Sequence, residues 1–209
     1  MLSPRHVFEL LVFIAILCLA ACKPSGNADD SRLLAEPDLL ERLHAQQTAI
    51  DTFCHRHPER TITYAQLVGH EEIVVIDCAD ADQLNIDRTF MLLKDSTGRV
   101  LAAYESPYSE SGDWNILYTH YFDSEGKTFA FSREASFFNS ICTDGIAVEN
   151  MSKWYTNALN MVDSSYTLRD EEGQDLAKDS CQFAYDYAYT IYPELKSFLK
   201  ANKLDSLLK

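Results

Sequence analysis

The stretch at residues 118–131 reads YTHYFDSEGKTFAF and has the pattern of two β-strands joined by a tight turn. Before the turn, the side chains of WNILYTHYFD (114–123) alternate between two faces, as they do along a strand. Asp123 can accept hydrogen bonds from backbone amides in the turn, and Gly126 can adopt the positive φ that closes it. A type I turn followed by a left-handed glycine is a common hairpin connection. The stretch therefore predicts an antiparallel hairpin.

The same turn pattern, Asp-x-x-Gly, recurs at Asp95–Gly98 in FMLLKDSTGRVLAAY and at Asp170–Gly173 in YTLRDEEGQDL. Short apolar runs of strand length occur in EEIVVIDC (71–78) and RTFMLLKD (88–95), and aromatic residues alternate in QFAYDYAYTI (182–191). Three hairpins favour an antiparallel sheet, because parallel strands need longer crossover connections.

Three other segments have helical periodicity. The first begins near Pro37 and ends before Pro58, with apolar residues at steps of three and four. The second runs from Met151 to Val162, and the third begins at Pro193 in PELKSFLKANKLDSLLK. We therefore predict an α+β fold in which an N-terminal, a middle and a C-terminal helix pack on one face of a hairpin-built antiparallel β-sheet.

The amino terminus, residues 1–21, has the three parts of a secretory signal peptide: a basic start, a short apolar core and small residues before a cleavage site. As a helix, residues 7–21 rise only about 22 Å, whereas a hydrocarbon core is about 30 Å thick, so a membrane-spanning helix is the weaker interpretation. The sequence LAAC (19–22) resembles the lipobox of bacterial lipoproteins. This resemblance implies that Cys22 carries a diacylglycerol, that the signal peptide is removed and that the new amino terminus is acylated. The alternative is an ordinary signal peptide followed by a chance cysteine.

The remaining chain divides into a tether and a domain. Residues 22–35 are predicted to be a lipidated flexible tether, because their Pro, Ser, Gly, Asn and Asp residues can bury little apolar area. Residues 36–209 have the length of a single α+β globular domain. The lipobox resemblance implies a lipid-anchored protein of the cell envelope. Lys23, after the cysteine, favours the outer membrane under the enterobacterial sorting rule, with its periplasmic face and the cell surface both open.

The chain as a whole is similar to the small uncharacterised lipoproteins of the Bacteroidota. The similarity rests on the lipobox, on YFDSEGKTFAFSREASFFNSIC (121–142) and on KDSCQFAYDYAY (178–189). The similarity implies a location in the cell envelope and supports the α+β fold predicted above. It implies no activity, because these lipoproteins have no settled one.

The net charge limits the classes of partner. The formal net charge is −14, so phosphate backbones and anionic lipid headgroups repel the chain. This balance excludes nucleic acid as a partner. Membrane attachment is therefore expected through acyl chains on Cys22, since no basic patch lies beside that residue.

The cysteines are informative because export leads to an oxidising compartment. Besides Cys22, the mature chain has Cys54, Cys78, Cys142 and Cys181, which allow three pairings. We favour Cys142 with Cys181, since each lies at the edge of a predicted strand in the carboxyl half, and this choice leaves Cys54 with Cys78. The alternative is four buried free thiols.

Motifs for catalysis or cofactor binding are lacking. The sequence has no C-x-x-C and no G-x-S-x-G, and His70-Glu71-Glu72 is followed by Val74 where a zincin helix needs histidine. The acidic stretch DCADADQLNID (77–87) is predicted to be a solvated loop, with a calcium site as the alternative. We therefore assign no catalytic residue, no metal and no cofactor.

Aromatic residues cluster around the loop YESPYSESGDW (104–114). Tyr108 and Trp114 flank its polar part and are therefore expected to be exposed. They are the predicted partner-binding residues, because aromatics with polar tips bind sugars or anchor proteins. The alternative is that the cluster belongs to the core. The function that follows is a non-enzymatic binding module for an envelope protein or glycan. A small envelope hydrolase and an inhibitor or immunity-type protein are the alternatives.

The lipobox resemblance makes a prediction about mass and partitioning. The wild-type protein should partition into detergent, and its intact mass should show a chain that begins at Cys22 and carries acyl groups. Cys22→Ala should abolish the acylation, because the thiol is its acceptor. A mature wild-type species with an unmodified Cys22 would contradict the prediction.

Overall fold

The fold is built on an open antiparallel sheet of eight strands. The computed structural model describes residues 37–77, 84–138, 140–183 and 188–208, and the residues from Leu39 onward belong to one compact unit. The predicted signal peptide, the tether and Cys22 all lie outside the described residues. Thus the structure concerns the predicted domain alone.

The strands follow each other across the sheet in nearly the order of the chain, β2-β1-β3-β4-β5-β6-β7-β8. Every neighbouring pair is antiparallel, as the hairpin pattern predicts. The strands are β1 (Thr61–Leu67), β2 (Ile73–Ile76), β3 (Ile86–Lys94), β4 (Val100–Pro107), β5 (Trp114–Phe122), β6 (Thr128–Phe137), β7 (Ala147–Tyr155) and β8 (Met161–Arg169).

The three predicted Asp-x-x-Gly turns are present and have the expected chemistry. In the turn between β5 and β6, the Asp123 carboxylate accepts from the amides of Glu125 and Lys127, both at 2.8 Å. The glycines that close the three turns all have positive φ, between 75° and 87°. The first two turns join β3 to β4 and β5 to β6, and the third joins β8 to a short bridge at Asp175.

The predicted middle helix, Met151–Val162, is wrong. These residues form the end of β7 and the start of β8, with a turn between them. Leu159 has a φ of 61° in that turn, where glycine is usual, so the hairpin lacks its sequence signal. Furthermore, β7 presents Glu149 to the core, where it forms a buried ion pair with Arg133, so the strand does not show a simple alternation of apolar and polar residues.

Helix α1 (Pro37–Arg56) covers one face of the sheet, close to the predicted bounds. Its apolar stripe packs on residues of β3 to β7. Two polar contacts fix it: the Trp154 indole N–H donates to Gln47 at 2.7 Å, and the Tyr121 hydroxyl donates to Asp51 at 2.9 Å. None of the described helices is both long and apolar enough to span a membrane.

Helix α2 (Leu195–Ala201) packs on the opposite face, so the expectation that all helices share one face is wrong. Phe198 is fully buried against Phe90 and Phe122 of this face, whereas α1 packs on Tyr121, the neighbour of Phe122 in β5. Because successive side chains of a strand point to opposite faces, the two helices lie on opposite sides of the sheet. Both faces are thus partly covered by segments from outside the sheet.

A carboxyl-terminal strap, residues 181–183 and 188–194, extends the cover next to α2. A disulfide joins Cys181 to Cys142, the pairing favoured by the sequence. Phe183 stacks on Phe137 with ring centroids 4.2 Å apart, and Tyr189 stacks on a second ring of β6. The prediction of a strand at 182–191 is wrong for residues 182–183 and 188–191, which are the described part of this stretch. These residues form no ladder with another strand. Their aromatic side chains pack on the sheet instead of continuing it.

The second predicted disulfide, Cys54 with Cys78, is not formed, because Cys54 is a free cysteine. Cys54 lies in the last part of α1 and is partly buried beside Tyr104, whereas Cys78 is outside the described residues. Cys54 therefore behaves as a small apolar residue of the interface between α1 and the sheet.

The turn geometry predicts the effect of a substitution at Gly126. Gly126→Val should lower the free energy of unfolding by about 1 kcal/mol or more, because a β-branched residue resists positive φ. A clash with a neighbouring residue is not the cause, since an added Cβ would lie 3.8 Å from the Leu195 Cβ, an ordinary contact. Gly126→Asn is the control and should cost less, because asparagine tolerates the left-handed region. Equal urea midpoints for wild type and Gly126→Val would contradict this account.

Candidate functional site

A cleft of about 280 Å³ opens at the end of the sheet where β1 and β4 finish and β3 and β5 begin. It combines two aromatic side chains with three charged ones. The cleft residues are Val68, Ile86, Asp87, Arg88, Pro107, Tyr108, Glu110, Ser111 and Trp114.

Backbone hydrogen bonds fix the walls of the cleft. The Tyr108 amide donates to the Asp87 carbonyl at 3.0 Å, which ties the loop after β4 to the start of β3. The Val68 amide donates to the Asn85 carbonyl at 2.9 Å on the other side. Within the loop, the Gly112 amide donates to the Ser109 hydroxyl at 3.1 Å. The loop is therefore organised by its own hydrogen bonds.

The two predicted partner-binding residues meet in this cleft but differ in exposure. Tyr108 is 48% exposed, as predicted for a contact residue. Trp114 is only 6% exposed and packs in a core cluster with Ile116 and Phe137, so the expectation that it is exposed is wrong. Trp114 instead forms part of the cleft wall, because it is the first residue of β5 and lies where the sheet core meets the loop.

The charges of the cleft are unevenly distributed. Arg88 forms an ion pair with Glu105 of the neighbouring strand, and the Glu105 side chain is largely buried. Burial raises the pKa of the Glu105 carboxyl, and the adjacent guanidinium opposes that rise. Asp87 and Glu110, in contrast, are exposed at the rim. The positive charge is thus matched within the protein, while two carboxylates face the solvent.

Sequence reasoning missed Arg88 as a site residue, although a signal for it existed. Arg88 and Glu105 lie on the two strands that flank the Asp95–Gly98 turn, and this hairpin brings Arg88 opposite Pro107. Opposite charges placed diagonally on a predicted hairpin indicate a cross-strand ion pair. The sequence pattern places Asp87 in the acidic stretch only, because the strand-like run that it predicts begins at Arg88 and not at Ile86.

The structure describes the acidic stretch 77–87 only in part, so its calcium alternative stays a prediction. Asp80 and Asp82 lie outside the described residues, and among the residues that are described no group of three potential metal ligands is found. The backbone carbonyls of Asn85 and Asp87 accept the two hydrogen bonds that shape the cleft. These two residues therefore have an evident role as cleft scaffold.

A larger depression, of about 420 Å³, lies between α1 and the turns after β3 and β5. Its charged side chains are engaged in those turns: Asp95 accepts from the amide of Arg99, and Asp123 accepts from two turn amides. The Arg99 side chain also pairs with Asp95. Fewer polar groups are therefore available for a ligand there than in the smaller cleft.

His120 is the described histidine with the deepest burial, but it does not line the cleft. Its ring lies among Phe131, Tyr192 and Phe198, and its Nε2 accepts from the Tyr192 amide at 3.1 Å. Burial lowers its pKa to about 4, and a backbone hydrogen bond to Thr190 opposes that shift. The arrangement fastens the strap to β5 and leaves the imidazole neutral at pH 7.

The geometry of the cleft suits non-covalent recognition. The exposed phenol of Tyr108 offers apolar area, the buried indole of Trp114 closes the inner wall, and the rim offers carboxylates and a hydroxyl. Comparison with known proteins found no matching family model, no matching curated protein and no matching solved structure. Interpretation of the cleft therefore rests on its own residues.

The lowered pKa of His120 predicts a pH effect on stability. Between its ordinary value of 6.5 and its folded value of about 4, the unfolded state takes up a proton that the folded state does not. The free energy of unfolding should therefore fall as the pH decreases through this window, by about 3 kcal/mol from this group. Urea denaturation at several pH values should show that His120→Gln has a flatter profile than wild type.

The exposed His55 provides the control for this measurement. His55→Gln should keep the wild-type pH profile, because it is at the end of α1 and faces solvent. If His120→Gln and wild type lost the same stability between pH 6.5 and 4, the buried histidine would not be the cause.

Proposed function

We propose that this chain is a non-enzymatic binding module of the cell envelope, which recognises an envelope protein or glycan through the cleft. The observation that carries the proposal is the position of Tyr108, whose ring is about half exposed over a cleft that Trp114 closes on the inside. Aromatic side chains that are rigidly presented beside polar groups are the usual anchors of protein and sugar recognition.

The anchoring part of the proposal comes from the sequence. The lipobox resemblance supports attachment through acyl chains on Cys22. Lys23 favours the outer membrane, on either its periplasmic face or the cell surface. The disulfide between Cys142 and Cys181 agrees with an oxidising compartment. A tether at residues 22–35 would let the domain reach partners away from the membrane surface.

The hydrolase alternative has less support. A general acid or base has to reach a bound substrate, and His120 is packed among aromatic rings with its Nε2 already bonded to the backbone of Tyr192. The inhibitor or immunity alternative is a special case of binding, in which the acidic surface meets a basic target.

Site-specific photocrosslinking in cells tests the proposed site. Benzoylphenylalanine in place of Tyr108 should give adducts, because its ketone inserts into C–H bonds of a protein or a glycan that occupies the cleft. The same residue in place of Met161 is the control, since Met161 is exposed and lies at the other end of the sheet. Identical adducts from both positions, or none from position 108, would contradict a binding role of the cleft.

A further inference from the structure

We infer that the cleft binds a basic segment of a partner protein and takes up a lysine or arginine side chain between Tyr108, Asp87 and Glu110. This inference rests on the proposed use of the cleft and adds the chemical class of its ligand. It concerns the described cleft residues only.

The charge balance of the cleft favours a cation. Asp87 and Glu110 carry two formal negative charges at the rim, and the positive charge of Arg88 is matched by Glu105, so the four residues sum to −2. An anionic ligand would compete with Glu105 for the Arg88 guanidinium and would be repelled by Asp87 and Glu110 at the rim. A cation meets the two carboxylates without disturbing that pair.

The aromatic residue completes a site for a positively charged side chain. The exposed face of Tyr108 can attract an ammonium or guanidinium group through its ring quadrupole, and such contacts are common for arginine. Val68, which is 43% exposed, gives the cleft an apolar wall, against which the aliphatic part of a lysine or arginine can pack. The combination of aromatic face, apolar wall and acidic rim matches both parts of such a side chain.

The charge of the whole chain acts in the same direction. A formal net charge of −14 steers a basic partner towards the protein and repels acidic ones. Steering by the whole molecule is not specific to the cleft, so the test has to separate a local contact from a general attraction.

The two tryptophans allow that separation. Trp114 lines the cleft, whereas Trp154 lies under α1 with its indole bonded to Gln47. The full-length chain, as cells produce it, is labelled with 5-fluorotryptophan, purified in a non-ionic detergent and observed by ¹⁹F NMR at 0.15 M salt. The probes are a tetra-arginine peptide, a tetra-glutamine peptide and a tetra-glutamate peptide. We expect tetra-arginine alone to shift the Trp114 resonance and to leave the Trp154 resonance in place.

Variants at the rim should weaken this response. Asp87→Asn, Glu110→Gln and Tyr108→Ala should each raise the Kd for tetra-arginine by about threefold, the effect of one partly exposed contact. Tyr108→Phe should keep most of the affinity, because its ring retains the negative face. An unchanged Trp154 resonance reports that each variant is folded.

The matched control is Glu125→Gln, which makes the same change of charge at an exposed residue in the turn after β5. Nine residues of β5 separate this turn from the cleft, about 27 Å along the strand, which is several Debye lengths at this salt concentration. Glu125→Gln should therefore leave the Kd unchanged. An equal loss in Glu125→Gln and Glu110→Gln would show general attraction only and would overturn the inference.

Failure of the inference can be told apart from failure of the proposed function. If position 108 gives photocrosslinks in cells but tetra-arginine does not move Trp114, the cleft is a binding site and the basic ligand is wrong. If tetra-glutamate moves Trp114 instead, the ligand is anionic and the inference is likewise overturned. If neither peptide moves Trp114 and position 108 gives no adduct, both proposals fail.

Discussion

Both faces of the sheet carry large apolar side chains, and an open sheet cannot cover either of them by itself. In β5, Tyr121 points to one face and Phe122 to the other, and both are buried. The hairpins pair the strands, but burial of the faces has to come from segments that precede β1 and follow β8. Helix α1 covers one face, while α2 and the strap cover the other. The disulfide to Cys142 and the bond from the Tyr192 amide to His120 keep the second cover in place.

The proposed binding cleft lies where this covering ends. The cleft lies at the tips of the strands, so most of its residues are free of the task of closing the core. Ile86 and Trp114 are exceptions, because both line the cleft and are buried, and Trp114 also belongs to a core cluster. Removal of its ring would affect stability and binding together, whereas Tyr108, Asp87 and Glu110 are exposed and can be changed with little effect on the core. The stability of the sheet and the proposed binding by the cleft therefore depend on largely different residues.

Local chemistry explains which parts of the fold could be predicted. The turns at Asp95, Asp123 and Asp170 need only an aspartate and a glycine at fixed spacing, and both are visible in the sequence. Helix α1 shows its apolar stripe directly. The β7–β8 hairpin was mistaken for a helix, because Leu159 replaces the expected glycine and because buried Glu149 breaks the alternation.

Local patterns account for only part of the candidate site. The exposure of Tyr108 agrees with its place in a polar loop, and its role in binding stays a prediction. The role of Arg88 depends on a cross-strand partner, and Trp114 is buried by tertiary packing that no local pattern reports. The nearly sequential strand order, finally, has a consequence for folding: β3 to β8 pair with their neighbours in the chain and can form early, since the loops they close are short. The strap closes much longer loops, because its contacts with His120, Thr128 and Lys127 span 64 to 72 residues. During synthesis the aromatic face therefore remains bare until the strap and α2 have been made, and in that interval the chain is most exposed to association with other chains.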